Sequence, residues 1–344
     1  MVSAAKEEHQ QPAHSHSAER MVVLDGWRAI SIIFVLASHL LPLGPTSWLL
    51  NDMAGRIGMA LFFTLSGFLI TKYFIDHDSV SSFLVRRFFR IIPLAWLGLL
   101  IALPMTSATP EVWLANFLFV ANLPPQHLVD MTSHYWSLGV EVQFYLGIAL
   151  LYAVFGARGL YALPVLCIAV TLHRIWSSAY ADIVTWRRVD EILAGCVLAL
   201  AVHQKLGKKP IIWLRRLHPT ILMGLLVLCS LPVAGPTNYL RPYVAALLVG
   251  TTLYCDRGIL ILMLESRILS YLAKISFALY VIHHILQYTW LGIDTDKLKK
   301  YLKRPILFAV TFFLAHISTF YFEQKFIDLA KRITKRNNAP RASN

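Results

Sequence analysis

The stretch Leu24-Asp25-Gly26-Trp27-Arg28-Ala29-Ile30-Ser31-Ile32-Ile33-Phe34-Val35-Leu36-Ala37-Ser38-His39-Leu40 decides the class of fold. From Ala29 to Leu43 the chain is apolar enough for the interior of a bilayer, yet the block opens beside Asp25 and Arg28 and carries an imidazole. It lacks a small-residue cleavage site, so it is expected to stay as a membrane helix and not to be removed as a signal peptide. The rest of the chain repeats the pattern. Of its 344 residues 57% are hydrophobic and 15% charged, against about 25% charged in soluble domains, and the mean hydropathy is +0.57. The apolar blocks are continuous rather than alternating, which predicts spanning helices of roughly 20 residues and not barrel strands.

Ten helices are expected, at 27–45, 55–75, 87–104, 136–155, 159–179, 189–203, 213–233, 239–255, 268–290 and 305–323. The segment 111–123, with Trp113, Phe117 and Phe119, is too short to span and is expected along the interface. The fold class is therefore an all-α polytopic membrane protein with about ten transmembrane helices. Residues 1–20 form a flexible cytoplasmic tail, 21–325 the transmembrane domain and 326–344 a basic cytoplasmic tail. Most of the 32 Lys and Arg fall on one side if both termini are cytoplasmic, although the run Lys297 to Arg304 breaks the trend. The formal charge of +13 thus reads as membrane topology and not as nucleic-acid binding. No metal is expected. His9, His14 and His16 sit in a polar tail, and Cys167, Cys196, Cys229 and Cys255 stand singly, as small core residues do.

Polar groups at membrane depth cost roughly 2.5–3.5 kcal/mol per charge on insertion scales, so each is a functional candidate. Arg28 and His39 are eleven residues apart, three turns plus about 20°, so they share one helix face about 16 Å apart along the axis. Asp25 stands three residues before Arg28 and can pair with it. Arg86, Arg87 and Arg90 follow at spacings that let two of the three converge on one anion, for which guanidinium forks suit phosphate oxygens; a topogenic patch explains the same residues. The fourth helix opens His134-Tyr135-Trp136-Ser137-Leu138-Gly139-Val140-Glu141, with Tyr145 one turn on. Glu141 lies about 7–8 Å into that helix, at a depth where it is expected to meet His39 and orient the imidazole. Ser276, Tyr280, His283 and His284 share a face of the ninth helix. Asp190 and Glu191 open the sixth, and Glu323 closes the tenth in an interfacial role. Ser66-Gly67 reads as a close-packing site.

In this order the segments resemble the acyltransferase-3 family of integral-membrane O-acyltransferases. The resemblance rests on Leu24–Arg28 with His39, Phe62–Phe68, the arginine run, Trp136–Glu141 with Phe144 and Tyr145, and Ile275–Tyr280 leading to His283. It covers about 22–325. Departures stand at Val142, where a second acid is common, at Ile282 and His284, where Trp is common, and at Lys325, where Pro is common; they bear on the acceptor.

The resemblance implies an acyl-CoA co-substrate, commonly acetyl-CoA, with no permanently bound cofactor, and a hydroxyl acceptor on an extracytoplasmic or lipid-linked saccharide. It implies a place in the bacterial inner (plasma) membrane. Arg28, Arg86, Arg87 and Arg90 would hold the donor, and His39 would act as general base or acyl relay, positioned by Glu141. Ser137, Tyr145, Trp136, Tyr280 and His283 are candidate acceptor or oxyanion contacts. The alternative is a secondary transporter that uses the same buried charges, although such proteins usually show internal symmetry and broken spans in matched positions. The acyl group, the acceptor and the oligomeric state are left open.

Overall fold

The computed structural model describes residues 13–255 and 257–337. Its helices in chain order are α1 (Ala13–Leu40), α2 (Leu50–Asp76), α3 (Val80–Ala102), α4 (Pro110–Phe117), α5 (Trp136–Phe155), α6 (Leu163–Trp176), α7 (Asp190–Val202), α8 (Lys209–Arg216), α9 (Pro219–Ser230), α10 (Arg241–Thr252), α11 (Ile259–Leu264), α12 (Arg267–Gln287), α13 (Lys297–Leu302), α14 (Arg304–Ile317) and α15 (Gln324–Asn337). A 3₁₀ segment, Asp130–Tyr135, leads into α5, and a π segment, Ser318–Glu323, joins α14 to α15. There is no strand among the described residues.

Every expected helix is present, but ten spans are not confirmed. Among the described residues six helical stretches are long and apolar enough to cross a membrane: Val22–Leu40, Leu50–Asp76, Val80–Met105, Asp130–Trp176, Arg267–Gln287 and Leu298–Lys335. The pair α8 and α9, bent by 90°, makes a seventh if it counts as one span. The difference has two sources: Asp130–Trp176 holds two of the expected helices in one stretch, and the 13 residues of α7 and 12 of α10 reach only about 20 Å at 1.5 Å per residue, against a hydrocarbon core of about 30 Å. The bend at Pro219 is local chemistry, since His218 before it is extended (φ −95, ψ 123) as a residue preceding proline prefers.

Two tail expectations also change. Residues 1–12, with His9, and 338–344 lie outside the described residues, but α1 already begins at Ala13 and α15 continues to Asn337. Phe326, Ala330 and Thr334 recur at helical spacing on α15; Ala330 and Thr334 are buried, and Phe326 stacks on Phe89 of α3 at 6.5 Å. That buried stripe makes a helix of what read as a basic tail.

The centre of the bundle is α2, which packs most extensively on α1 and α7. Gly67 and Gly195 make the α2–α7 crossing possible: a Cβ on Gly67 would sit 1.9 Å from the Ile192 carbonyl oxygen, and one on Gly195 2.0 Å from that of Thr64. The close-packing role read for Ser66-Gly67 is met by Gly67. Backbone oxygens cannot swing aside, so Gly67→Ala or Gly195→Ala is expected to cost about 3 kcal/mol of stability, seen as lower thermal unfolding in detergent. Gly224→Ala, with nothing within 4 Å of its Cβ, is the silent control.

Asp190 and Glu191 are fully buried at the start of α7, where Asp190 pairs with Arg174 and Glu191 with Arg241 (2.8 Å) and Arg188 (3.3 Å). These ion pairs tie α6, α7 and α10 together. Glu323 accepts from Ser318 (3.3 Å) and Thr319 (3.1 Å) at the π segment.

Candidate active site

Two cavities meet back to back inside the bundle. The first is a narrow slot of about 70 Å³ lined by Arg28, Arg87, Arg90, Glu141, Ser66 and Tyr145 among others. The second is a wide chamber of about 980 Å³ that His39, His134, His284 and Trp136 line, together with Asp52, Arg56, Asp182 and Arg188. Val35, Met59 and Tyr280 line both and form the neck between them. Helix α1 connects the two because Arg28, Val35 and His39 recur at seven and four residues, on one face. Arg28 lies in the slot, Val35 in both cavities and His39 in the chamber, the arrangement expected from the spacing of the arginine and the histidine.

The slot gathers three of the four expected donor arginines. Arg28 pairs with Asp25 at 3.0 Å, and Arg87 lies over the rings of Phe83 (5.6 Å) and Tyr145 (5.4 Å). Arg86 is the correction. It is absent from the slot lining, and its Nε donates to Thr334 on α15 at 3.2 Å. The i,i+3 pair Arg87 and Arg90 faces inward, which turns Arg86, 100° away from Arg87, toward α15.

Glu141 is the second correction. Its carboxylate accepts from Ser66 and from Tyr145, both in short hydrogen bonds, and it lies in the slot, not beside His39. The reason is register. Helix α1 ends at Leu40, where the Asn51 amide donates to the carbonyls of Ser38 (2.8 Å) and Leu41 (2.7 Å), so His39 occupies its last turn. Ser137 of α5 bonds Tyr280 of α12 at 2.6 Å. Glu141 lies one turn from that layer in one direction and His283 about one turn in the other, which separates the carboxylate from His39 by roughly 10 Å along the bundle.

The partner of His39 is His283. Their Nδ1 and Nε2 are 2.9 Å apart, with the rings stacked at 5.2 Å and 8° between planes. The His283 Nδ1 lies 3.0 Å from the Leu279 carbonyl; a carbonyl only accepts, so Nδ1 carries the proton and Nε2 presents a lone pair. His39 Nδ1 must then donate to it, which leaves His39 Nε2 as a bare base on a half-buried ring of the wide chamber. His284 holds its Nε2 proton toward the Asp130 carbonyl (3.0 Å) and Ser133 Oγ (3.1 Å).

The hydroxyl candidates are already engaged. Tyr280 gives its proton to the His134 carbonyl, so Ser137 donates to Tyr280, and Tyr145 donates to Glu141. None offers a spare proton to an oxyanion without rotating. Trp136 lines the chamber with the Arg188 guanidinium 5.3 Å from its ring. Sequence reasoning gave no role to His134, Asp52, Arg56 or Asp182, nor to Ser66 as a partner of Glu141. Of these only His134 left a trace, as the polar residue that opens the 134–141 motif.

A family model described as an acyltransferase domain matches residues 21–323. The chain belongs to the acyltransferase-3 family. It carries that family's acyltransferase domain, and its membrane-spanning stretches make it an integral membrane protein. Among similar proteins, the peptidoglycan O-acetyltransferase OatA of Listeria monocytogenes is 29% identical over 155 residues, 38% of this chain and 24% of that protein. The acyltransferase MdmB of Streptomyces mycarofaciens is 27% identical over 275 residues, 67% of each. The O-acetyltransferase OatA of Staphylococcus aureus is 26% identical over 230 residues, 55% of this chain and 37% of that protein. The matches to the two OatA proteins therefore span about a quarter to a third of their lengths. No solved structure matches.

Proposed function

We propose that this acyltransferase-3 protein transfers an acyl group, acetyl in the first instance, from acyl-CoA to a hydroxyl of a saccharide or lipid-linked saccharide. The names of the OatA relatives, one of them printed as acting on peptidoglycan, support acetyl transfer to a saccharide. The observation that carries the reading is the single face of α1 that runs from Arg28 in the slot through Val35 to His39 in the chamber.

Arg28, Arg87 and Arg90 supply the cations that phosphates of CoA need. The thioester arm enters from their side, and seating it parts Val35, Met59 and Tyr280 at the neck. The wide chamber, with acids and guanidiniums of both signs beside Trp136, suits a polyhydroxyl acceptor. His39 Nε2 takes the proton of the acceptor hydroxyl as its oxygen attacks the thioester carbonyl carbon. The carbon–sulfur bond then breaks, and the imidazolium returns its proton to the departing thiolate. His283 is a positioning residue that holds the tautomer. On this reading the arginine end faces the cytoplasm, where CoA is found, both termini lie on that side, and the membrane is the bacterial plasma membrane.

Donor binding is tested by Arg87→Ala with Arg90→Ala against Arg86→Ala. Charge-assisted hydrogen bonds contribute about 1.5–3 kcal/mol each, so the double variant is expected to raise the acyl-CoA KM by about 10²- to 10⁴-fold, with kcat changed much less. Arg86→Ala, which loses a contact to α15, is expected to leave KM within about threefold. Equal effects of both variants would remove the donor assignment.

A further inference from the structure

The histidines at the end of α1 and α12 have a second capacity. One ring nitrogen from each of His39, His283 and His284 lies within 4.8 Å of the other two. His283 Nε2 bears a lone pair because its Nδ1 proton goes to the Leu279 carbonyl at 3.0 Å. His284 Nδ1 bears one as well, because its Nε2 proton goes to the Asp130 carbonyl at 3.0 Å. That Nδ1 is buried and has no hydrogen-bond partner among the described residues, on a side chain only 5% exposed. An imidazole lone pair sealed from water and left unpaired is destabilising unless a ligand takes it up. Anchoring of the far ring nitrogen on a backbone carbonyl is also what fixes histidine ligands toward a metal.

We propose that His39, His283 and His284 form a three-histidine site for a borderline transition-metal ion of the Zn²⁺ class. Neutral imidazoles suit Zn²⁺ and its neighbours, not Mg²⁺ or Ca²⁺. Bonds of about 2.0–2.1 Å in tetrahedral geometry place ligand nitrogens about 3.3 Å apart. The His39–His283 pair, at 2.9 Å, opens slightly, and the widest pair, within 4.8 Å, closes by at most about 1.5 Å. His39 moves its ring proton from Nδ1 to Nε2 and gives the Nδ1 lone pair to the ion, so three neutral ligands bind with no net proton released. The fourth position opens toward the wide chamber, which both His39 and His284 line. No sequence pattern marks this cluster, because residues 39, 283 and 284 come together only through the packing of α1 on α12.

The site goes beyond acyl transfer and stands without it, because binding is measured without turnover. On the acyl-transfer reading the bound ion takes the His39 Nδ1 lone pair and holds the ring proton on Nε2, which removes the base, and Zn²⁺ inhibits. The experiment adds Co²⁺ and then Zn²⁺ to the purified full chain in detergent. One Co²⁺ per chain with the visible absorption of a four-coordinate site, displaced by Zn²⁺, is the expected result. His39→Gln, His283→Gln and His284→Gln should each weaken Zn²⁺ binding by about 100-fold, whereas His134→Gln, adjacent but outside the ligand set, should change it little. Mass spectrometry of the wild-type chain supplies a readout free of folding effects: Zn²⁺ should shield His39 from diethylpyrocarbonate. A six-coordinate Co²⁺ spectrum only, or Zn²⁺ that leaves His39 fully reactive, overturns the site. Tight binding with no inhibition upholds the metal site and instead counts against His39 as the base.

Discussion

Replacing His39 with Ala is expected to lower acyl transfer by about 10²–10⁴-fold, the usual contribution of a positioned general base. The effect should fall on kcat, since His39 lines the acceptor chamber and not the arginine slot. The protein should still fold. His39 is half-buried in the last turn of α1, and its loss leaves one lone pair on His283 Nε2 unpaired, at about 1–3 kcal/mol. His283→Ala acts through His39, by freeing its tautomer, and should cost less than His39→Ala. Steady-state kinetics with acyl-CoA beside thermal unfolding of each variant separates the two roles; a His283 variant more damaged than His39→Ala would exchange them.

Glu141→Ala is expected to abolish transfer by a different route. Its carboxylate accepts the protons of Ser66 and Tyr145, both buried, and it is the one acid among the described residues lining the slot with Arg28, Arg87 and Arg90. Removing it strands two hydroxyl donors and takes the one carboxylate from the slot lining, where, among the described residues, Arg28 alone keeps an ion-pair partner, Asp25. Breaking a buried charge arrangement in this way typically costs about 3–5 kcal/mol. Glu141→Ala should therefore lose both stability and activity. Glu141→Gln keeps an acceptor for at least one of the hydroxyls, and is expected to regain most of the stability and to transfer within about tenfold of the original chain. A Gln variant that is stable yet as inactive as Glu141→Ala would mean that Glu141 itself handles a proton.

How much of this was legible depends on the distance over which each residue acts. The helices were readable because apolar runs such as 136–155 carry their own signal, and α5 is found at Trp136–Phe155. The shared face of Arg28 and His39 was readable because both lie on one helix. The number of spans was less legible because burial inside a bundle and burial in lipid select the same residues; Ile192 and Leu200 on α7 are buried in protein.

Pairings between helices were the weak point. Depth from the expected helix ends put Glu141 beside His39, but α1 ends at Leu40, not near 45. Helical spacing showed that two of the three arginines in the run converge without showing which two. The His39–His283 contact spans 244 residues, and no local pattern encodes it.

The most direct measurement uses membrane vesicles with the arginine face outward, given acetyl-CoA labelled in the acetyl group, for the original chain and for His39→Gln. The account predicts that label moves into a saccharide or glycolipid fraction with one CoA thiol released per acetyl moved, and that His39→Gln releases neither. Solute accumulation with no thiol release, or a His39→Gln protein that transfers label at the original rate, would contradict it.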